Sequence, residues 1–114
     1  MISQKYRFHG RSSLKYVFTN GNNIRNSFFS VKWTANSHRK HPRVAVIVSK
    51  KVYKSAVRRN RIRRRVYTAV QPILGNAPPI DIAINIYSPE VLMLTNEELI
   101  DQLLPSLNKA GLTK

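Results

Sequence analysis

The apolar positions of the chain follow two periods, and each period marks its own elements. A step of two runs through SFFSVKWT, residues 27 to 34, where Phe29, Val31 and Trp33 share one side of a strand. It returns in IDIAINIY, residues 80 to 87, with Ile80, Ile82, Ile84 and Ile86 on one face; Asp81 there reads as a turn or strand-end residue. VAVIV, residues 44 to 48, is apolar without a break, which predicts a strand covered on both faces and placed centrally. Helical spacing appears elsewhere. Ser12 or Ser13 is placed to cap a short helix bearing Leu14, Val17 and Phe18, and Gly21 to end it. Ile62, Val66, Ala69 and Val70, continued by Ile73, form the stripe of a second helix from about Ala56 to about Gln71, with Pro72 and Gly75 marking its end. Thr95 and Glu98 form a capping box for a last helix whose stripe is Leu99, Ile100, Leu103, Leu104 and Leu107. Pro105 inside that stripe predicts a kinked or shortened end.

The order read from these patterns is α-β-β-α-β-α with room for one further strand, an α+β sandwich of helices on a sheet. No repeat, low-complexity stretch or linker divides the 114 residues, so residues 1–114 read as a single domain. There is no cysteine, which removes disulfides, thiolate metal sites and a thiol nucleophile. The N-terminal stretch lacks the apolar core of a secretory signal, and no apolar run approaches a membrane span. A cytoplasmic location is the expectation.

Charge changes the picture most. Residues 1 to 80 contain eighteen Lys and Arg and no Asp or Glu, whereas residues 81 to 114 carry two Lys against five carboxylates. A surface without carboxylates over eighty residues takes its counter-charge from a partner, and nucleic acid is the obvious polyanion. The charge concentrates in VRRNRIRRR, where Arg58, Arg59, Arg61, Arg63, Arg64 and Arg65 lie within eight positions. At roughly 100° per residue, Asn60, Arg64 and Tyr67 point away from the apolar stripe, Arg61 and Arg63 flank the helix, and Arg58, Arg59 and Arg65 border the stripe itself. Like charges meet at Arg59/Arg63, Arg61/Arg65, Arg58/Arg61 and Arg61/Arg64. Such pairs cost roughly 0.2–0.5 kcal/mol each, about 1–2 kcal/mol in all. Burial of Ile62, Val66 and Val70 contributes roughly 1.5–3 kcal/mol apiece, so the helix forms and the repulsion remains for a polyanion to remove. Arginine forks suit phosphates and can stack on bases. Lys50, Lys51 and Lys54 extend the patch as point charges, and Asn60 is either a reader of a base edge or 2′-hydroxyl or a spacer.

Signals for catalysis are weak. The four glycines are too scattered for a phosphate loop, and Glu97, Glu98 and Asp101 read as first-turn helix charges. His38 and His41 flank Arg39 and Lys40, where phosphate contact is the simpler role and acid–base work on RNA the rival; His9 is unassigned. Phe18, Phe28, Phe29 and Trp33 are core residues by default, with any exposed subset available to stack on single-stranded RNA.

VIVSKKVYKSAVRRNRIRRRV, residues 46 to 66, resembles the signature of the bacterial ribonuclease P protein family: a strand ending in S-K-K, a basic connection, and a helix opening on R-N-R. Arg59, Asn60 and Arg61 match the R-N-R core, and Arg63 and Arg64 the basic pair after it. LKYVFTNG (residues 14 to 21), PPIDIAINI (residues 78 to 86) and the leucine-rich last helix extend the resemblance over about residues 7 to 107. Tyr53 stands where many members have glycine, and Tyr87-Ser88 replaces an arginine often found after the last strand. The resemblance implies an α-β-β-β-α-β-α sandwich with helices packed on a small mixed sheet and a left-handed crossover, a ribosomal-protein-like fold. It implies a subunit of an endoribonuclease whose catalyst is the RNA, using Mg2+ bound mainly by that RNA to remove the 5′ leader of precursor tRNA. The implied partners are ribonuclease P RNA and precursor tRNA, with no membrane and no further protein required. Arg59, Asn60, Arg61, Arg63 and Arg64 would dock the RNA subunit, and a cleft holding Phe18, with Phe29 or Trp33, would grip the leader. No side chain of the protein is expected to be catalytic. The rival readings are a ribosomal protein, a self-sufficient ribonuclease using His38 or His41, and a membrane-surface protein.

Overall fold

The computed structural model describes residues 17, 19, 21–26, 28–35, 42–74 and 80–109. Val17 and Thr19 are helical; then follow β1 (Asn22–Arg25), β2 (Phe29–Ala35), β3 (Arg43–Val48), α1 (Ala56–Leu74), β4 (Ile80–Ile86), a 3-10 turn (Pro89–Met93) and α2 (Asn96–Lys109). The strands form one mixed sheet in the order β1-β2-β4-β3. Antiparallel pairing joins β1 to β2 and β2 to β4, while β3 and β4 are parallel neighbours linked through α1.

Register explains the core. Phe29, Val31 and Trp33 of β2 lie opposite Ile86, Ile84 and Ile82, and Val44, Val46 and Val48 of β3 lie beside the same three isoleucines. This apolar face shares one core with Ile62, Val66, Val70 and Leu74 of α1 and with Leu99, Leu103 and Leu107 of α2. The α1 residues recur every fourth position, the spacing that keeps a helix stripe on one side. The expected capping box is in place: the Glu98 amide donates to Thr95 Oγ1 at 3.1 Å and the Thr95 amide to Glu98 Oε1 at 2.9 Å.

Several expectations need correction. The apolar strand β3 lies at the edge of the sheet, and β4 is the strand between two neighbours. An unbroken apolar run reports cover on the faces, not the strand order. The outer edge of β3 is partly closed by Tyr67 of α1, whose hydroxyl accepts from the Val46 amide at 3.1 Å. Tyr67 therefore turns toward the sheet edge instead of away from it. Helix α1 continues through Pro72 to Leu74, because Leu74 is buried in the core and packing outweighs one lost backbone bond in the last turn. Helix α2 likewise runs through Pro105 to Lys109 without being shortened. Strand β1 is the additional strand. Its sequence NNIR has one apolar residue, so its conformation comes from pairing with β2.

Asp81 stands near the end of a strand as expected, but it is buried and ion-paired. It lies within β4, opposite Arg43 of β3, and accepts from that guanidinium at 2.8 and 2.7 Å. Both side chains are nearly inaccessible, 3% and 7% exposed. Gly21 closes the helical turn at Val17: its amide donates to the Val17 carbonyl at 2.8 Å, and a Cβ there would collide with that carbonyl oxygen.

Candidate nucleic-acid interface

The basic surface begins where β3 ends. Lys50, Lys51 and Lys54 are all exposed in the connection to α1. The first turn of α1 contains no acidic residue, so nothing offsets the partial positive charge of the helix N-terminus. The Arg58 amide makes a long 3.4 Å contact to Ser55 Oγ, and the Arg58 guanidinium lies 5.4 Å from the centroid of Tyr53. Tyr53 packs against the core, so its ring gives that cation a fixed neighbour.

Arginines of the run divide by position on the helix. Arg58, Asn60, Arg61 and Arg64 are exposed; Arg59, Arg63 and Arg65 are half-buried. Arg59 lies on the core side with its Nε buried and without a hydrogen-bond partner among the described residues. Arg63 donates to Asn60 Oδ1, which leaves Asn60 its amide NH2 for other contacts.

Arg65 departs from the expectation. Its Nη1 donates to the carbonyls of Val91 and Leu92 at 3.0 and 3.1 Å, and its Nη2 to the Leu94 carbonyl. A weaker contact of 3.4 Å reaches Asn96 Oδ1. The guanidinium is thus occupied by the segment that leads from the 3-10 turn into α2. Its forked geometry is occupied within the fold by main-chain carbonyls.

Two hollows flank Arg64. A smaller one of about 200 Å³ is lined by Asn60, Arg63, Arg64 and Tyr67. A larger groove of about 420 Å³ runs between α1 and α2, lined by Arg64, Arg65, Thr68, Ala69, Pro72, Asn96 and Ile100.

The expected aromatic cleft is corrected in part. Phe29 is 0% exposed within the core, so its ring cannot stack on a ligand. The alternation that put Phe29 and Trp33 on one face was right, but that face is the one the helices cover. Trp33 is half-buried against the core, opposite Asn22 of the edge strand β1. Phe18 lies outside the described residues, as do His9, His38 and His41. One basic–aromatic contact carried no sequence signal: the exposed Arg25 guanidinium sits 4.7 Å from the centroid of Tyr87. The Tyr87 ring is held by its hydroxyl, which donates to the Asn26 carbonyl at 3.3 Å. Among the described residues, no group of three or more His, Cys, Asp or Glu side chains is arranged to hold a metal ion. No described helix is long and apolar enough to cross a membrane.

The family model described as Ribonuclease P matches residues 2–111. This chain belongs to the ribonuclease P protein family. It is similar to the ribonuclease P protein component of Synechococcus sp. (strain RCC307), with 27% identity over 125 aligned residues, 99% of this chain and 98% of the relative. It is 31% identical over 110 residues to that of Lactobacillus delbrueckii subsp. bulgaricus, covering 96% of this chain and 90% of the relative. Its fold is similar to that of the Staphylococcus aureus RNase P protein, with a TM-score of 0.83 and 24% identity, covering 96% and 98% of the two chains. As a ribonuclease P protein component, the chain is part of a tRNA-processing endoribonuclease. In this ribonuclease P protein the R-N-R core, Arg59-Asn60-Arg61, occupies the second turn of α1, between the lysines of the preceding connection and the two hollows beside Arg64.

Proposed function

We propose that the protein docks on ribonuclease P RNA through the exposed face of α1 and holds the 5′ leader of precursor tRNA beside it, assisting magnesium-dependent removal of the leader. The observation that carries this reading is the cationic face itself. Arg58, Arg61 and Arg64 are exposed, with Lys50, Lys51 and Lys54 next to them, and no described carboxylate lies within ion-pair distance of any of the six. Arg59 and Arg63, half-buried, support the same face. Phosphate oxygens would supply the counter-charge and relieve the repulsion along the helix.

The chemistry assigned to the protein is electrostatic. Cationic side chains between two RNAs lower their mutual repulsion and reduce the magnesium concentration at which they associate. Contacts to the leader, through Phe18 and the exposed part of Trp33, stabilise precursor over product and favour release after cleavage. The protein's own carboxylates do not suit a metal site: Asp81 is buried with Arg43, and the other described carboxylates are not gathered into one. In this reading the magnesium ions are ligands of the RNA, and no step passes through a protein-held ion.

The test is cleavage of a 5′-extended precursor tRNA at low magnesium by a cognate ribonuclease P RNA, by this protein, and by both together. Cleavage at the mature 5′ end by the mixture alone is the expected result. An RNA that is active at high magnesium but gains nothing from the protein at low magnesium would overturn the reading.

A further inference from the structure

The groove between α1 and α2 is a built feature, and nothing in the proposed docking of the arginine face accounts for it. Its apolar lining is Ala69, Pro72 and Ile100, and its polar lining includes the exposed Thr68 and Asn96. Its two walls are linked. Arg65 of α1 holds the Val91, Leu92 and Leu94 carbonyls immediately before α2, which ties the segment entering α2 to α1. It carries an exposed cation, because Arg64 lines both this groove and the hollow beside Asn60 and Arg63.

Charge differs across the groove. The α1 wall carries Arg64, whereas on α2 the exposed Glu97 and Asp101 directly follow the lining residues Asn96 and Ile100. A phosphate is drawn to the α1 side and repelled from the α2 side; a flat, uncharged, partly apolar group is accepted toward α2. One nucleotide combines these two requirements, with its phosphate at Arg64 and its base over Ala69, Pro72 and Ile100. Thr68 and Asn96 are placed to hydrogen-bond the base edge. Only an unpaired base can leave its stack to enter, and unstacked bases are what proteins recognise in RNA.

We propose that the α1–α2 groove is a pocket for a single unpaired nucleotide of the RNA subunit. This rests on the RNA-docking reading and adds to it a site that recognises one base in addition to phosphate charge. It also gives Arg65 a positioning role, since its carbonyl contacts tie the segment entering α2 to α1.

The experiment uses the full chain and its cognate ribonuclease P RNA. Thr68→Trp fills the groove from an exposed position and removes no charge. It is expected to weaken RNA binding about five- to hundredfold, the range for displacing one stacked base. The slope of log K against log salt should fall by no more than about 0.7–0.9, the share of the single phosphate at Arg64. A thermal midpoint equal to that of the parent shows that the fold is intact. A photoreactive benzophenone side chain at position 68 is expected to crosslink to one unpaired nucleotide, and the same group at Val57, 69% exposed at the start of α1, to crosslink as a control. Full affinity of Thr68→Trp, or a complex in which only position 57 crosslinks, overturns the pocket and leaves the docking reading standing. Failure of the parent protein to form the complex overturns both.

Discussion

Two regions of this small protein use arginine in opposite ways. On the sheet, Arg43 is buried and meets Asp81 through two hydrogen bonds of 2.8 and 2.7 Å. On α1, Arg58, Arg61 and Arg64 stand in solvent, and no described carboxylate is near enough to pair with them. The fold provides counter-charge where it has buried a cation and withholds it where the cation faces outward. Burial makes an unneutralised guanidinium very costly, so a buried arginine comes with its acid. An exposed one is solvated, and its repulsion costs only tenths of a kcal/mol per pair. Arg65 falls between these cases: half-buried, it is neutralised by main-chain carbonyl dipoles. Six arginines close together in sequence therefore do not form one functional class.

The sharpest break of this comparison is Asp81→Ala. Removing the carboxylate leaves the Arg43 guanidinium buried without its acid and should cost about 3–5 kcal/mol, read as a lower urea midpoint. A loss under about 1 kcal/mol would place that guanidinium with the exposed ones. Arg65→Met comes next. Hydrogen bonds from a charged donor are worth about 1.5–3 kcal/mol, and partial exposure discounts them, so about 1–3 kcal/mol of stability should be lost. The salt slope of RNA binding should not change. A shallower slope would mean that Arg65 reaches a phosphate after all.

Arg61→Ala should reverse the pattern. Relief of its repulsion with Arg58, Arg64 and Arg65 should leave stability unchanged or raised by a few tenths of a kcal/mol. Its RNA affinity should fall, and the slope of log K against log salt should become shallower by about 0.7–0.9 for each phosphate the variant no longer neutralises. Equal slopes for Arg61→Ala and the parent protein would move the docking surface off this face.

The smallest effect lies on the acidic side of the molecule, at the α2 cap. The Thr95 amide, and then its hydroxyl, hold the Glu98 carboxyl below its ordinary value near 4.5. A carboxylate lowered on folding stabilises the fold above its unfolded value, and the contribution is lost as pH falls through the lowered folded value. Glu98→Gln should therefore flatten the stability profile slightly below about pH 4.5 and leave RNA binding at neutral pH unchanged. A variant profile that superimposes on the parent's throughout that acid range would show that the cap contributes nothing there.

Local pattern was legible wherever one face of an element dominates its energetics. The stripe of Ile62, Val66 and Val70, the alternation of Ile80 to Ile86 and the Thr95/Glu98 box all match the structure, because each rests on interactions within one element. The arginine run was legible as part of a helix in the same way, and its density is the ground on which a polyanionic partner is proposed. What escaped was decided between elements. NNIR became β1 through its partner strand, β3 took an edge, and Pro72 stayed helical because Leu74 is buried beyond it. Phe29 and Trp33 share a face in any strand, yet only packing determined that the helices cover it and that Phe29 lies wholly inside.

The sequence by itself thus determined the element types apart from β1, the family resemblance and the presence of a cationic helix. These depend on residue order over short spans, where side-chain period and like charge act directly. Only the tertiary structure decided which arginines remain available. That outcome depends on groups distant in sequence: Asp81 for Arg43, and the carbonyls of Val91, Leu92 and Leu94 for Arg65. Whether a guanidinium meets solvent, a carboxylate or a carbonyl is set by where the chain returns, and the charge itself is the same in all three cases.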